Sequence, residues 1–502
     1  MQLTNLRINK GIKSFASLLV LRLAASPLNA QTNLPTTATA ATTSTAPPTS
    51  AGLLNDWLRQ QTSLFDNFDL GGQFRPRYVA QTYFAVPGAG PTAVDFRANT
   101  PQSENDFLLL RTRVHAGYTP VEWLTILGEG QNSASTGDKR HPDPQADEPF
   151  DLHQGYVQLG GTKALPVSLK VGRQELSYGD ERLVGAFDWD NVGRSFDAAK
   201  LHYEQDTFWV DAFTGRVVIP NDNKFDQPNW DDWFSGVYGS TRSLVPKTEV
   251  QLYFLADNAS AGSPKHVTTY GKGNSPRDIY TVGSRFQTLP GQLHGWDLNG
   301  DFAGQFGDFE YAPGTPGVID GQRLNHLAYA THIEGGYTFT KTDFKPRLAL
   351  GFDYASGDGN PNDKEHNTFV NLYPTNHKFY GAMDFLSWQN LIDPYLKATI
   401  APVKGLSFAL TYNVFWLAST SDFFYQVNQA PRTTGGYGIH PQNGSFAGQE
   451  IDLIATYQPT PFLQVQGGFA HYFTGDYIDQ TFQNLGGAHD ANWVYVQAQF
   501  NF

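Results

Sequence analysis

Arginines stand two residues apart in two places in this chain, Arg75 and Arg77 in FRPRY, and Arg111 and Arg113 in LLLRTRVHAGY. In an extended strand residues i and i+2 share a face, so each pair presents two guanidinium forks to one side. A planar fork takes a carboxylate through two parallel hydrogen bonds, and a series of forks suits a polyanion. Arg285 and Arg347 fall on the polar side of their own alternating segments, as do Lys170, Lys200 and Lys397. Carboxylates share that side: Glu204, Glu249, Asp297, Asp301, Glu334, Asp353, Glu450 and Asp452. Two uses therefore compete for the cations. One is binding an anion; the other is Arg–carboxylate pairing between neighbouring strands, which holds register and needs no solute.

Other chemistry has weaker support. The 13 His are scattered without an HExxH, no GxSxG elbow occurs, and no Walker or dinucleotide glycine pattern follows a strand. No cofactor and no catalytic role are expected. SGDGNPNDKEH, residues 356–366, has the carboxylate density of a calcium loop without EF-hand spacing, and reads better as a loop folding over a mouth. A net charge of −13 argues against a nucleic-acid partner, and it does not favour an anionic solute either.

What must position these side chains is a set of strands. Mean hydropathy is −0.40, yet aromatics reach 14%, with 24 Tyr and 36 Phe beside 49 Gly and no Cys. Low hydropathy with many aromatics is the composition of a transmembrane β-barrel, in which only alternate residues meet lipid. Outside the N-terminus no apolar run is long enough for a membrane helix. That N-terminus has Arg7, Lys10 and Lys13 before an apolar stretch and reads as a signal peptide over 1–30. A Thr/Ala/Pro-rich linker and a short lead-in follow over 31–72, with a helix or plain lead-in at Leu53–Phe68, and the barrel occupies 73–502.

Alternating runs of about ten residues, the length of a tilted spanning strand, come in pairs. Examples are Phe107–Tyr118 with Val121–Gln131 across Thr119 and Pro120, and Glu450–Tyr457 with Phe462–Phe473 across Pro459 and Pro461. Eight such pairs, with Phe74–Phe84 first and Trp493–Phe502 last, predict roughly eighteen antiparallel strands. Short connections fall inside pairs and long ones between them, which sorts tight periplasmic turns from long extracellular loops. In WVYVQAQFNF, Val494, Val496, Ala498, Phe500 and Phe502 face one way, and Tyr495, Gln497, Gln499 and Asn501 the other. The segment is expected to close the barrel on the first strand, leaving a polar, water-filled interior. Trp123, Trp209, Trp233, Trp416 and Trp493 read as girdle or wall residues.

Three stretches carry a family resemblance: KVGRQELSYGDERLVGAFDWDNVGRSFD, LGFDYASGDGNPNDKEHNTFVNLYPTNHKFYG and GQEIDLIATYQPTP. They resemble the alginate-export family of outer-membrane channels. The resemblance implies a waist lined by Arg and Lys that passes an anionic polyuronate outward, in the bacterial outer membrane. Residue by residue, it implies pore-lining roles for Arg75, Arg77, Arg111, Arg113, Lys170, Arg173, Arg285, Arg347 and Lys397. Arg173 matches the family's GRQ position but shares parity with Val167, Leu169 and Val171, so a bulge or strand end must turn it inward. Implied partners are outer-membrane lipid, an anionic polysaccharide or oligosaccharide, the barrel-assembly machinery through the terminal aromatic, and periplasmic polysaccharide-secretion proteins. The competing readings are an uptake porin for small anionic or sugar solutes, and an outer-membrane enzyme or adhesin.

Overall fold

The computed structural model describes residues 53–84, 94–97, 104–139, 146–221, 224–260, 267–268, 271–272, 275–289 and 291–502. The expected signal peptide and the Thr/Ala/Pro-rich stretch 31–52 lie outside the described residues. A short helix, α1 (Leu53–Gln61), leads in. Its Asn55 reaches the first strand, donating to Asp69 and accepting from the Leu70 amide.

Among the described residues, eighteen wall strands form one closed antiparallel barrel. They are β1 (Phe68–Thr82), then β2 (Glu104–Val121) with β3 (Leu124–Thr136), β4 (Asp147–Gly160) with β5 (Val167–Gln174), and β6 (Phe196–Gln205) with β7 (Phe208–Ile219). β8 (Asp232–Thr241) pairs with β9 (Thr248–Ala259), β10 (Arg277–Thr288) with β11 (Trp296–Phe309), and β12 (Leu324–Thr338) with β13 (Arg347–Ala355). β14 (Leu391–Val403) pairs with β15 (Leu406–Leu417), and β16 (Phe446–Thr460) with β17 (Leu463–Thr474). β18 (Ala491–Asn501) closes on β1, Arg77 standing opposite Gln497. Each predicted pair is present, and the first strand begins at Phe68, ahead of the expected boundary.

Alternation sets the two faces. Phe74, Tyr78, Leu108, Val494, Val496 and Phe500 are exposed on the lipid side, while Arg75, Arg77, Tyr495 and Gln497 are buried on the other. Trp123 and Trp233 are exposed outside, as a girdle requires. Trp493 is instead buried on the inner face, and Trp209 is stacked against Tyr178 and Tyr238. Trp493 has the parity of Tyr495 and Gln497, and Trp209 that of Asp211, so alternation sets both rings on the inner face as wall residues.

Inside, tyrosines lie across glycines of the adjacent strand. Tyr253 faces Gly283, Tyr395 faces Gly351 and Tyr495 faces Gly468. A Cβ on Gly283 would stand 2.2 Å from Tyr253 Cζ, and one on Gly351 would stand 2.0 Å from that of Tyr395. Because the glycine lets the ring lie flat, its hydroxyl reaches one strand further: Tyr253 donates to Asp301 (2.5 Å) and Tyr395 to Glu334 (2.9 Å). Tyr253 and Tyr395 thereby each tie three strands, while Tyr495 donates to Gln466 on the strand that carries Gly468.

The lumen is not the open channel expected from barrel size. The loop between β5 and β6 and the one between β13 and β14 turn inward and meet, with a bridge between Val184 and Tyr373. Leu176, Val184, Phe369, Tyr373 and Trp388 of these loops are at most 1% exposed. The segment 356–366, expected over the mouth, begins this second inward loop. There Asp358 accepts from the Asn360 amide, and the Asp358 amide donates to Asp422.

Gly283→Val should displace Tyr253 and cost about 1–3 kcal/mol, measured by urea unfolding of the refolded barrel in vesicles. Gly304→Ala, whose Cβ would meet nothing within 4 Å, should leave the midpoint unchanged.

Candidate functional site

The predicted arginine pairs come together on β1 and β2. Register sets Arg75 directly opposite Arg111, with Arg113 one inward position along β2 and opposite Gln73. Like charges face to face repel, and burial makes the repulsion worse. Arg75 and Arg111 are nonetheless 2% and 0% exposed, so an acceptor must be supplied.

The β5–β6 loop supplies it. Arg75 donates to the carbonyls of Asp188 (2.6 Å) and Asp190 (2.8 Å), Arg77 to that of Trp189 (2.6 Å), and Arg111 to those of Asp188 (3.0 Å) and Asp190 (3.2 Å). Arg77 also donates to Gln497 across the closing seam and lies 3.6 Å over the Trp189 ring. The Asp188 carboxylate takes Arg111 Nη2 at 2.9 Å and Arg113 Nη1 at 3.0 Å, with Arg75 at 3.9 Å. Glu175 adds a longer contact to Arg113, 3.5 Å. Burial alone would raise the Asp188 carboxyl, but Arg111, Arg113 and Arg75 outweigh it and hold it well below the usual range. The four arginines converge, and what they grip is the chain's own loop.

A second group lines a recess of about 250 Å³ on the turn side of the inward loops. Arg285 and Lys397 line it with Asp180, Arg182, Glu249, Glu334, Lys378 and Tyr395. Its acids have their own partners. Asp180 pairs with Arg182 (3.1 Å), Glu249 with Arg242 (3.0 Å), and Glu334 with Arg347 (2.6 Å). Lys378 is taken by Glu181 (2.7 Å). Among the described residues no carboxylate oxygen lies within ion-pair reach of Arg285 or Lys397, so these two cations keep their hydrogen-bond donors free of a direct carboxylate contact.

The remaining predicted residues separate. Lys170 faces inward opposite Lys200, with its ammonium 4.3 Å over the Tyr156 ring. Arg347 is inward but held between Asp297 and Glu334, a strut across β11, β12 and β13. Arg173 is not a lumen residue. The expected bulge is absent, the register running unbroken through Gly172, and Arg173 is locked along the wall, doubly bonded to Asp197 opposite it (2.8 and 3.1 Å) and donating to the Leu152 and Asp226 carbonyls. Sequence reasoning missed Arg182 and Arg194, which lie on the inward loop rather than on a strand. Arg182 pairs with Asp353 (2.9 Å), and Arg194 donates to the Gly185, Tyr373 and Pro374 carbonyls. The SYGDERLVG and NVGRS pieces place arginines among loop glycines, a signal that alternation cannot use.

Arg111→Ala should cost about 1–3 kcal/mol, the loss of a charge-assisted contact, since Asp188 keeps Arg113 and the two carbonyls keep Arg75; limited proteolysis should then cut the β5–β6 loop faster than in the parent. Asp188 is depressed, and Asp180 is brought to about 2 by Arg182 and then Arg285 against the opposing effect of burial. A depressed carboxyl contributes its stability in full above its unfolded value and loses it as pH falls through the folded one. Loop protection should accordingly persist from neutral pH to about pH 4 and fail only in stronger acid.

The comparisons with known proteins agree with this geometry. No curated protein matches the chain. Among solved structures it is similar to the outer membrane protein OpdK of Pseudomonas aeruginosa, at TM-score 0.54 and 11% identity over 87% of this chain and 99% of that one. It is also similar to OpdQ of the same organism, at 0.53 and 12% over 87% and 98%. These likenesses bear on the fold alone. A family model described as Alginate export matches residues 92–488. With that match over most of a closed barrel whose inner face carries the cations, the chain belongs to the alginate export family and is a channel of the bacterial outer membrane.

Proposed function

We propose that the channel passes an anionic polysaccharide such as a polyuronate, outward and without energy coupling. The observation that carries this reading is that Arg285 and Lys397 line the recess with no carboxylate within ion-pair distance among the described residues, while each acid lining it is paired with another cation. A chain bearing one carboxylate per sugar must shed water to enter a constriction, and such cations replace that water. The amide and hydroxyl groups of Gln251, Gln287, Asn299 and Thr411, which line the same space, suit sugar hydroxyls. The chain's net charge of −13 is a global sum and does not set the local field of a pore.

A second reading, uptake of small anionic or sugar solutes, is favoured by size. About 250 Å³ holds one ring rather than a length of polymer. A structure of Pseudomonas aeruginosa OpdK holds vanillate, in a barrel related to this one by fold only.

Reversal potentials across a planar bilayer under a KCl gradient test the anionic reading. Anion selectivity is expected, weakened by Arg285→Ala and by Lys397→Ala. Arg347→Ala should weaken it as well, because Asp297 and Glu334, the latter in the recess lining, are then left without their cation. Cation selectivity, or indifference to the first two substitutions, would sink the proposal.

A further inference from the structure

The Asp188 contact differs from the ion pairs that only brace the wall. The side chain of Asp188 is 53% exposed, while those of Arg111, Arg75 and Arg113 beneath it are 0%, 2% and 9% exposed. Buried cations are thus capped by a carboxylate that water and solute can reach. The cap is carried by a loop that crosses the lumen, anchored beyond β1 and β2 through Tyr178 on Asp211 (2.8 Å) and Arg182 on Asp353 (2.9 Å). The residue just before the cap, Phe187, sits at φ 51, a left-handed conformation that is strained for a bulky residue. Strain of this kind collects where a segment has a second arrangement available.

We propose that Asp188 is a tethered mimic of the substrate's carboxylate, occupying the arginine cluster in the resting channel and exchanged for a substrate carboxylate when the β5–β6 loop moves aside. This rests on the anionic reading above. The physical argument concerns charge. Arg75, Arg77, Arg111 and Arg113 need an anion whether the loop is seated or not, and carbonyls alone are weaker acceptors than a carboxylate. Displacing Asp188 into water without replacement leaves the cluster uncompensated, so the seated state dominates. A uronate entering from the lumen offers the same planar acceptor to the same forks. It can bind only the displaced state, because Asp188 fills the site in the seated one, and it therefore shifts the equilibrium by its own binding energy. The other acceptors facing the cluster are Glu175 on Arg113, the carbonyls of Asp188, Trp189 and Asp190, and the side-chain oxygens of Gln73, Gln131 and Gln497. The carbonyls let the loop reseat once the substrate has left.

The full-length channel in a planar bilayer provides the test, with conductance read in plain KCl and again after adding a uronic-acid trisaccharide. The parent should conduct weakly and rise several-fold with the trisaccharide. Asp188→Ala should begin at the raised conductance and respond no further. Asp188→Glu, which restores the carboxylate, should behave as the parent. Heat-modifiable gel mobility confirms that each variant is a folded barrel, and Asp188→Asn repeats the test with a side chain of nearly the same shape. Parental conductance in both Asp188→Ala and Asp188→Asn overturns the proposal. So does a trisaccharide response of equal size in the parent and Asp188→Ala, or no response in a parent whose variant is already open. The reversal potential from the same recordings reports the anionic reading separately: cation selectivity would end that reading whatever the conductances do.

Discussion

Two arginines set face to face on neighbouring strands impose the constraint from which the interior follows. Arg75 and Arg111 are opposed in the β1–β2 ladder and almost wholly buried. Uncompensated, such a pair would be expelled into water or would force the strands apart. The barrel resolves this by bringing a loop inward, so that successive carbonyls and one carboxylate face the guanidinium groups. Once that loop is committed to the lumen, the second inward loop has a surface to pack on, and an apolar core forms inside a wall whose inner face is otherwise polar.

The same logic repeats with the opposite sign. Glu450 and Asp452 on β16 point inward and accept from the amides of Met383 and Ala382 on the second loop. Gly381, at φ +83, allows the close approach; a Cβ there would stand 2.4 Å from Glu450 Oε2. Wall cations hold carbonyls and wall carboxylates hold amides, so most interior charge serves as sockets for the loops. With the loops seated, a solute meets what is left over among the described residues, which includes Arg285, Lys397 and Lys170. The inner charge of this barrel is therefore a poor guide to its selectivity until partners are subtracted.

Membership of the alginate export family and an interior largely spoken for are compatible. The sockets are made of hydrogen bonds and ion pairs, which exchange with other polar partners more readily than a packed apolar core rearranges. A channel closed by polar contacts can respond to a polar solute. The tyrosines lying across glycines do the complementary task, keeping the wall in register while the interior changes.

Alternation in the sequence by itself determined the wall: the number of strands, their pairing in order, the sides on which short and long connections fall, and the parity of Arg75, Arg77, Arg111, Arg113, Arg285, Arg347 and Lys397. The physical reason is that a strand with lipid on one side and polar groups on the other must sort residue types at period two, and each strand does so locally. Arg173 is the instructive case, because alternation sets it with Val167, Leu169 and Val171, off the lumen, as the structure has it, and only the family resemblance asked for it inside. Tertiary structure alone decided whom each inward cation meets. Asp188 is distant in sequence from Arg75 and Arg111, and nothing in loop composition says that a loop turns into the lumen rather than out into water. That choice depends on the summed demand of buried charges from several strands, a quantity that exists only once the barrel has closed.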